Sequence, residues 1–185
     1  IDEHLRAREL NPDSLVAGYV YGKLFVFGKD EGADKRLMTS SITARYKLLA
    51  SSMQYKDGRE FYKCIENDTD SQVITQKPDA WRACWSCNLS ARRQDLLDIG
   101  GFDEGFAGWG LEDEELGYRA LQYGKDLVFT KKAWGYHAPH AANARKNYAD
   151  FKRNLSYFFS KHRTAEIELL HINFFPSTVK RVLGS

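Results

Sequence analysis

Hydrophobic and polar positions along the chain switch between helical and strand periods, and glycines and prolines mark most of the changes. Ile1, Leu5 and Leu10 recur at helical spacing, and Asn11-Pro12-Asp13 ends the run, so a helix is expected over residues 1–10. Residues 15–22 are rich in β-formers and close on Gly22, which predicts a strand. A polar, glycine-bearing loop follows at 28–35, then a helix over 35–52, a turn at 56–60 and a second polar loop at 66–72. The run from Trp81 to Ser90 is the expected central strand. Residues 92–101 predict a short helix with a glycine stop, and Leu111–Tyr123 a helix ending at Gly124. Two short strands are expected at Asp126–Thr130 and Ala133–His137. Asn143–His162 predicts a long amphipathic helix with Tyr148, Phe151, Leu155, Phe158 and Phe159 on its apolar side. Strands and helices alternate, so the class is α/β, but the alternation is irregular and begins inside an element. The pattern is that of the second half of a doubly wound domain.

Composition narrows the function classes. A chain of 185 residues is long enough for one domain with a real core, and its net charge of +2 argues for neither nucleic acid nor an acidic membrane surface. No run of eighteen apolar residues occurs and no signal peptide opens the chain, which suits a cytoplasmic protein, peripheral at the inner face of the membrane at most. The three cysteines, Cys64, Cys84 and Cys87, are an odd number and suit a reducing compartment. The Cys84-x-x-Cys87 spacing is that of a redox pair, but a redox pair belongs where a strand meets a helix start, and here it lies inside the expected strand. Three N-x-[ST] sequons, at Asn67, Asn88 and Asn154, matter only in a secreted protein.

The unusual stretch is Gly108-Trp109-Gly110 set directly before four consecutive acids, Glu112 to Glu115. Carboxylates in a first helical turn are stabilised by the helix dipole, by a few tenths to about 1 kcal/mol each. That accounts well for one or two acids and poorly for four, which leaves helix initiation and carboxylate chemistry both open. Asn88 at a strand end could cap the following helix or face a ligand, and Trp109 could be core or a loop aromatic. His137 and His140 could be surface histidines or metal ligands at the end of a strand, where α/β folds place ligand groups.

Taken together, WSCNLSARR (85–93), GGFDEGFAGWGLEDEELGYRALQYG (100–124) and GYHAPH (135–140) resemble the C-terminal half of inverting glycosyltransferases with a GT-A fold. The resemblance is to family 2 bacterial enzymes and the galactosyltransferase-type C-terminal domain, including chondroitin-polymerase-like modules. It covers residues 81–140 and implies a mixed sheet flanked by helices, the C-terminal part of a nucleotide-diphospho-sugar transferase fold. By that resemblance, Asp113 is the general base that takes the proton of an acceptor hydroxyl, and Glu112 holds the acceptor or orients the base. Trp109, between Gly108 and Gly110, is the mobile aromatic against the sugar face. Asn88 and Arg92 lie at the sugar-binding floor, and His137 ligates a divalent metal, Mn2+ or Mg2+, with His140 the alternative. The implied partners are a nucleotide-sugar donor, a UDP-sugar, and a glycan or glycolipid acceptor, with polysaccharide biosynthesis as the setting.

The pattern departs from the family where an Asp-x-Asp metal motif should precede residues 1–10. Asp68-Thr-Asp70 has the letters without a strand to deliver it. The expected organisation is therefore residues 1–142 as the acceptor-binding, base-bearing half of a catalytic domain whose N-terminal half lies outside this chain, and 143–185 as a helical extension. Two other readings compete: a non-catalytic carbohydrate-binding or scaffold module, and a metal-dependent hydrolase built on Glu112, Asp113, His137 and His140. No H-E-x-x-H spacing supports the hydrolase.

Overall fold

A computed structural model describes residues 1–21, 71–77, 79–136 and 143–174. The expected helix at 35–52, the loop at 28–35, the turn at 56–60, Asp68, Asp70, His137 and His140 lie outside those residues. The chain is α/β, with a mixed four-stranded sheet flanked by helices, compatible with a GT-A-like fold.

In chain order the elements are α1 (Asp2–Leu10), β1 (Ser14–Tyr21), β2 (Ser71–Val73), β3 (Leu89–Ser90), α2 (Arg93–Asp98), α3 (Glu112–Gln122), β4 (Asp126–Tyr136), α4 (Ala144–Lys161) and α5 (Ala165–Phe174). Two 3-10 turns, Ala80–Ala83 and Ser86–Asn88, precede β3. The sheet order is β2-β4-β1-β3, with β1 and β4 parallel at its centre and the two short strands antiparallel at its edges. Leu15 pairs with Leu127 and Val16 with Val128, and the ladder shifts register between Gly18 and Val20.

Strand alternation sorts the central side chains onto two faces. Leu15, Ala17, Leu127 and Phe129 face one way and pack with Cys84, Leu116 and Ala120, while Val16 and Val128 face the other and pack with Ala7 of α1. A second apolar cluster joins Trp81, Leu111 and Tyr118 to Phe151, Leu155 and Phe158 of α4 and to Ile167 and Leu170 of α5. Each such fully buried aliphatic or aromatic side chain contributes roughly 1.5–3 kcal/mol relative to exposure.

Several expectations need correction. Residues 81–90 are not the central strand. The segment folds into two 3-10 turns and only Leu89–Ser90 joins the sheet, at its edge. Trp81, Ala83 and Cys84 are buried together, a turn's grouping and not a strand's alternation. Asp79, in the left-handed conformation at φ 62°, opens the first turn. The two strands expected from 126 to 137 are one continuous strand ending at Tyr136. Ser71 and Gln72, expected in a loop, belong to β2. Helix α1 forms as expected, but Ile1, Leu5 and Leu10 point outward and only Ala7 is buried. Tyr148 is likewise exposed, because the buried stripe of α4 runs through Asp150, Phe151, Asn154, Leu155 and Phe158.

Candidate active site

Helix α3 begins directly after the Gly-Trp-Gly loop, and the backbone there is strongly bent. Gly108 and Gly110 lie at φ 74° and 97°, a region glycine occupies freely. Leu111 follows at φ 77° while buried at 3% exposure. A non-glycine residue held there costs on the order of 1–3 kcal/mol, and such strain collects at functional sites. Leu111 supplies no side-chain cap, so the first-turn carboxylates are what the helix N-terminus has.

The four acids have four different environments. Glu115 is fully buried and receives Arg119 at 2.8 Å, Lys161 at 2.8 Å and His162 at 2.8 Å. Burial pushes its carboxyl up, but the hydrogen bonds from Arg119, Lys161 and His162 outweigh this and hold it below the ordinary glutamate range. Arg119 also donates to the carbonyls of Ile99 and Gly101, so this acid anchors the turn after α2. Glu114 accepts from the Trp85 indole N–H at 3.3 Å.

Asp113 differs from both. Its carboxylate accepts the Ser86 N–H at 3.1 Å and the Glu114 N–H at 2.9 Å, and no cation among the described residues pairs with it. Burial and the neighbouring Glu112 charge push its pKa up to about 6, against the backbone hydrogen bonds that favour the charged form. Glu112 beside it keeps one buried carboxylate oxygen, Oε2, without a hydrogen-bond partner. An unpaired, partly desolvated carboxylate next to an unsatisfied acceptor can take a proton from a bound hydroxyl.

Trp109 is 39% exposed, with its indole tilted against Phe151 at 6.3 Å between ring centres. The loop is joined to α4: Asp150 Oδ2 accepts the Trp109 N–H at 3.3 Å, and Asn154 Nδ2 donates to the Gly110 carbonyl at 2.8 Å. A Cβ at Gly108 would collide with the Asp150 carboxylate, a second reason for glycine there.

Asn88 and Arg92 are both bound into the framework. The Asn88 amide donates to the Tyr19 carbonyl at 2.9 Å and the Ala133 carbonyl at 2.7 Å, and its oxygen lies 2.9 Å from His4 Nε2. It thus clamps β1, β4 and α1 across Gly18, where a Cβ would run into that amide. Arg92 binds buried Asp95 at 2.8 Å and also pairs with Asp13; its bond to Asp95, followed by that of Lys125 at 2.7 Å, holds the Asp95 carboxyl down at about 2. Asp113, Glu112, Trp109, Gly108 and Gly110 come from one continuous turn, whereas Asn88 and Arg92 sit in the sheet-edge framework.

The buried member of the cysteine pair does not suit thiolate chemistry. Cys84 is buried, and desolvation together with Asp113 and Glu114 raises its thiol far above the thiolate range. Among the described residues no group of three or more His, Cys, Asp or Glu side chains could hold a metal ion. His137, the metal ligand expected from the resemblance, lies outside those residues.

Sequence reasoning missed Asp150, Asn154, Asp103 and the partners of Glu115. Asn154 was legible only as a sequon, yet it is 1% exposed inside a helix. The available signal was a polar stripe, Asp150, Arg153, Asn154, Tyr157 and Lys161, repeating at helical spacing beside the apolar one.

Residues 74–141 match the model of a family described as the N-terminal domain of galactosyltransferase. Validoxylamine A glucosyltransferase from Streptomyces hygroscopicus subsp. jinggangensis is 36% identical over 105 residues, covering 57% of this chain and 24% of that protein. YfnE of Bacillus subtilis, an uncharacterized glycosyltransferase, is 23% identical over 192 residues, covering 94% of this chain and 49% of that protein. The chain thus spans between a quarter and a half of the length of these relatives. Over the stretch that holds Trp109, Glu112 and Asp113, the chain is similar to a glycosyltransferase-family domain.

Proposed function

We propose that this chain is the acceptor-binding, base-bearing part of an inverting glycosyltransferase, with Asp113 as the general base. The observation that carries the reading is the Asp113 carboxyl, which no cation among the described residues neutralises and whose pKa is raised to about 6 beside the orphaned oxygen of Glu112. In the proposed reaction an acceptor hydroxyl oxygen attacks the anomeric carbon of a nucleotide-sugar from the face opposite the diphosphate. The carbon–oxygen bond to the diphosphate breaks, the nucleoside diphosphate leaves with that electron pair, and the hydroxyl proton passes to Asp113. A positioned base of this kind contributes typically about 10²–10⁴-fold. Glu112 holds the acceptor through its free oxygen, and Trp109 lies against the sugar ring, orienting it and excluding water.

The donor is proposed to be a UDP-sugar and the acceptor a glycan or glycolipid. A divalent cation, Mn2+ or Mg2+, is proposed to bind with the His137 imidazole among its ligands, and when bound it would neutralise the diphosphate leaving group. Among the described residues no helix is long and apolar enough to cross a membrane, which is compatible with the cytoplasmic setting proposed here.

The test is a donor screen on the full-length protein with and without manganese, in the parent form and with Asp113→Asn and His137→Ala. Asp113→Asn should lower kcat by about two orders of magnitude or more while leaving donor binding intact. The kcat/KM profile of the parent should fall on the acid side with an apparent pKa near 6, because the base must be ionised. His137→Ala should raise the manganese requirement. Near-normal turnover in Asp113→Asn would return the acid run to helix initiation and remove Asp113 as the base, whereas a parent protein that binds glycans but transfers from no donor would leave a carbohydrate-binding module as the better reading.

A further inference from the structure

The loop from Asp103 to Gly110 contains no helix or strand, and its backbone ends on side chains of α4. The Ala107 N–H reaches Asn154 Oδ1 at 3.4 Å, and the Ala107 carbonyl accepts from Arg153. The Trp109 N–H binds Asp150, and the Trp109 and Gly110 carbonyls accept from Asn154 at 3.4 and 2.8 Å. Tyr157 donates to Asp103 at 3.1 Å, and Lys161 pairs with Asp103 and, at 2.8 Å, with Glu115. These partners recur at three- and four-residue steps, so one face of α4 grips the loop.

Asp150 and Asn154 are 7% and 1% exposed, whereas the Trp109 ring remains 39% exposed. The peptide groups of the loop are therefore fixed while its aromatic ring is left presented. Asp150 is itself oriented by Lys146 at 2.8 Å and Arg153 at 3.2 Å, which keep its carboxyl charged and below its ordinary range. Lys161 then ties the start of the loop to the helix that carries Asp113.

We infer that Asp150 and Asn154 are positioning residues for acceptor binding: they preset the Trp109 ring at a fixed place relative to Asp113 before any sugar arrives. The inference rests on the transferase reading for its substrate, and on geometry alone for the preset ring. It differs from a mobile aromatic, which would meet the sugar only after the loop reorganises. A platform ordered in advance lowers the entropy lost on binding, so removing the latch should act on the acceptor and leave the donor alone.

The experiment compares Asp150→Ala, Asn154→Leu and the conservative Asp150→Asn with the parent in the full-length protein, below the unfolding temperature of each. Acceptor KM and kcat, donor KM and acrylamide quenching of Trp109 are measured, the last by difference against the matching Trp109→Phe protein. Asp150→Ala and Asn154→Leu should raise acceptor KM by about tenfold or more, the scale on which misplaced binding groups act. They should also increase Trp109 quenching in the absence of ligand and leave donor KM unchanged. Asp150→Asn keeps an oxygen for the Trp109 N–H and should restore much of both. Lowered melting temperature with parental quenching and acceptor KM would overturn the inference, leaving α4 as packing only. If the parent transfers sugar from no donor, the transferase reading fails separately, and quenching alone decides the latch: increased quenching upholds a preset ring, unchanged quenching removes it.

Discussion

Asp113 and Glu115 lie two residues apart on α3, yet their carboxyls are driven in opposite directions, because three donors from Arg119, Lys161 and His162 reach Glu115 and no cation among the described residues reaches Asp113. The two therefore give opposite signs in pH-dependent stability. Glu115, with a lowered pKa, contributes stability above its unfolded-state value and loses it as the pH falls through the folded one. Asp113, raised from 3.8 to about 6, is the reverse: its contribution is complete below the unfolded value and is lost as the pH rises through about 6. Replacing Asp113 by Asn should therefore stabilise the full-length protein at pH 8, by on the order of 1–3 kcal/mol, and leave it nearly unchanged at pH 4. Thermal unfolding at the two pH values checks this. A base that destabilises its own helix in the ionised state is expected of a functional group, and equal melting temperatures at pH 8 would remove that sign of function from Asp113.

Among the elements, legibility followed how local the determining physics is. Helices α2 and α3 were readable because their glycine stops, Gly100 and Gly124, sit in the chain at φ 88° and 81° and act within one turn. Strand β1 was readable from β-branched and aromatic density. Residues 81–90 were misread because what decides them is distant: Trp81 and Cys84 pack on Gly117 of α3, which the local pattern does not show. The acid run and the Gly-Trp-Gly loop were readable as an ordered motif, whereas their supports on α4 were not, since buried Asp150 and Asn154 look like ordinary surface polar residues until the loop is seen above them. Gly117 itself gives an element-scale prediction. In a free helix Gly→Ala gains about 1 kcal/mol, but here the added Cβ would stand 2.6 Å from Cys84 Cβ and 2.7 Å from the Trp81 carbonyl oxygen. Overpacking of that kind costs roughly 1–3 kcal/mol, so Gly117→Ala should lower the unfolding midpoint in urea. Because the following turn delivers the Ser86 N–H to Asp113, the acid limb of the pH–rate profile should move with it.

At the scale of the whole molecule, the helical cluster of α3, α4 and α5 and the sheet are built from contacts of very different reach. The helices are neighbours in sequence, between Glu112 and Phe174. The sheet's central pair is not: Ser14 must find Asp126 and Tyr21 must find Tyr136. Loop closure over such distances is slow compared with helix docking, so the two parts should form in separate kinetic phases. In pulse-labelled hydrogen exchange during refolding, amides of α3 and α4 should gain protection before those of β1; simultaneous protection would contradict this. The parallel pairing also has a consequence for synthesis. At about 5–20 residues per second, a ribosome releases β1 several seconds before β4 exists. Throughout that interval Leu15, Val16, Ala17 and Val20 form an apolar strand with an open edge, exposed to other nascent chains. Yield in the cell should therefore be governed by the supply of holdase chaperone during translation more than by the stability of the finished fold.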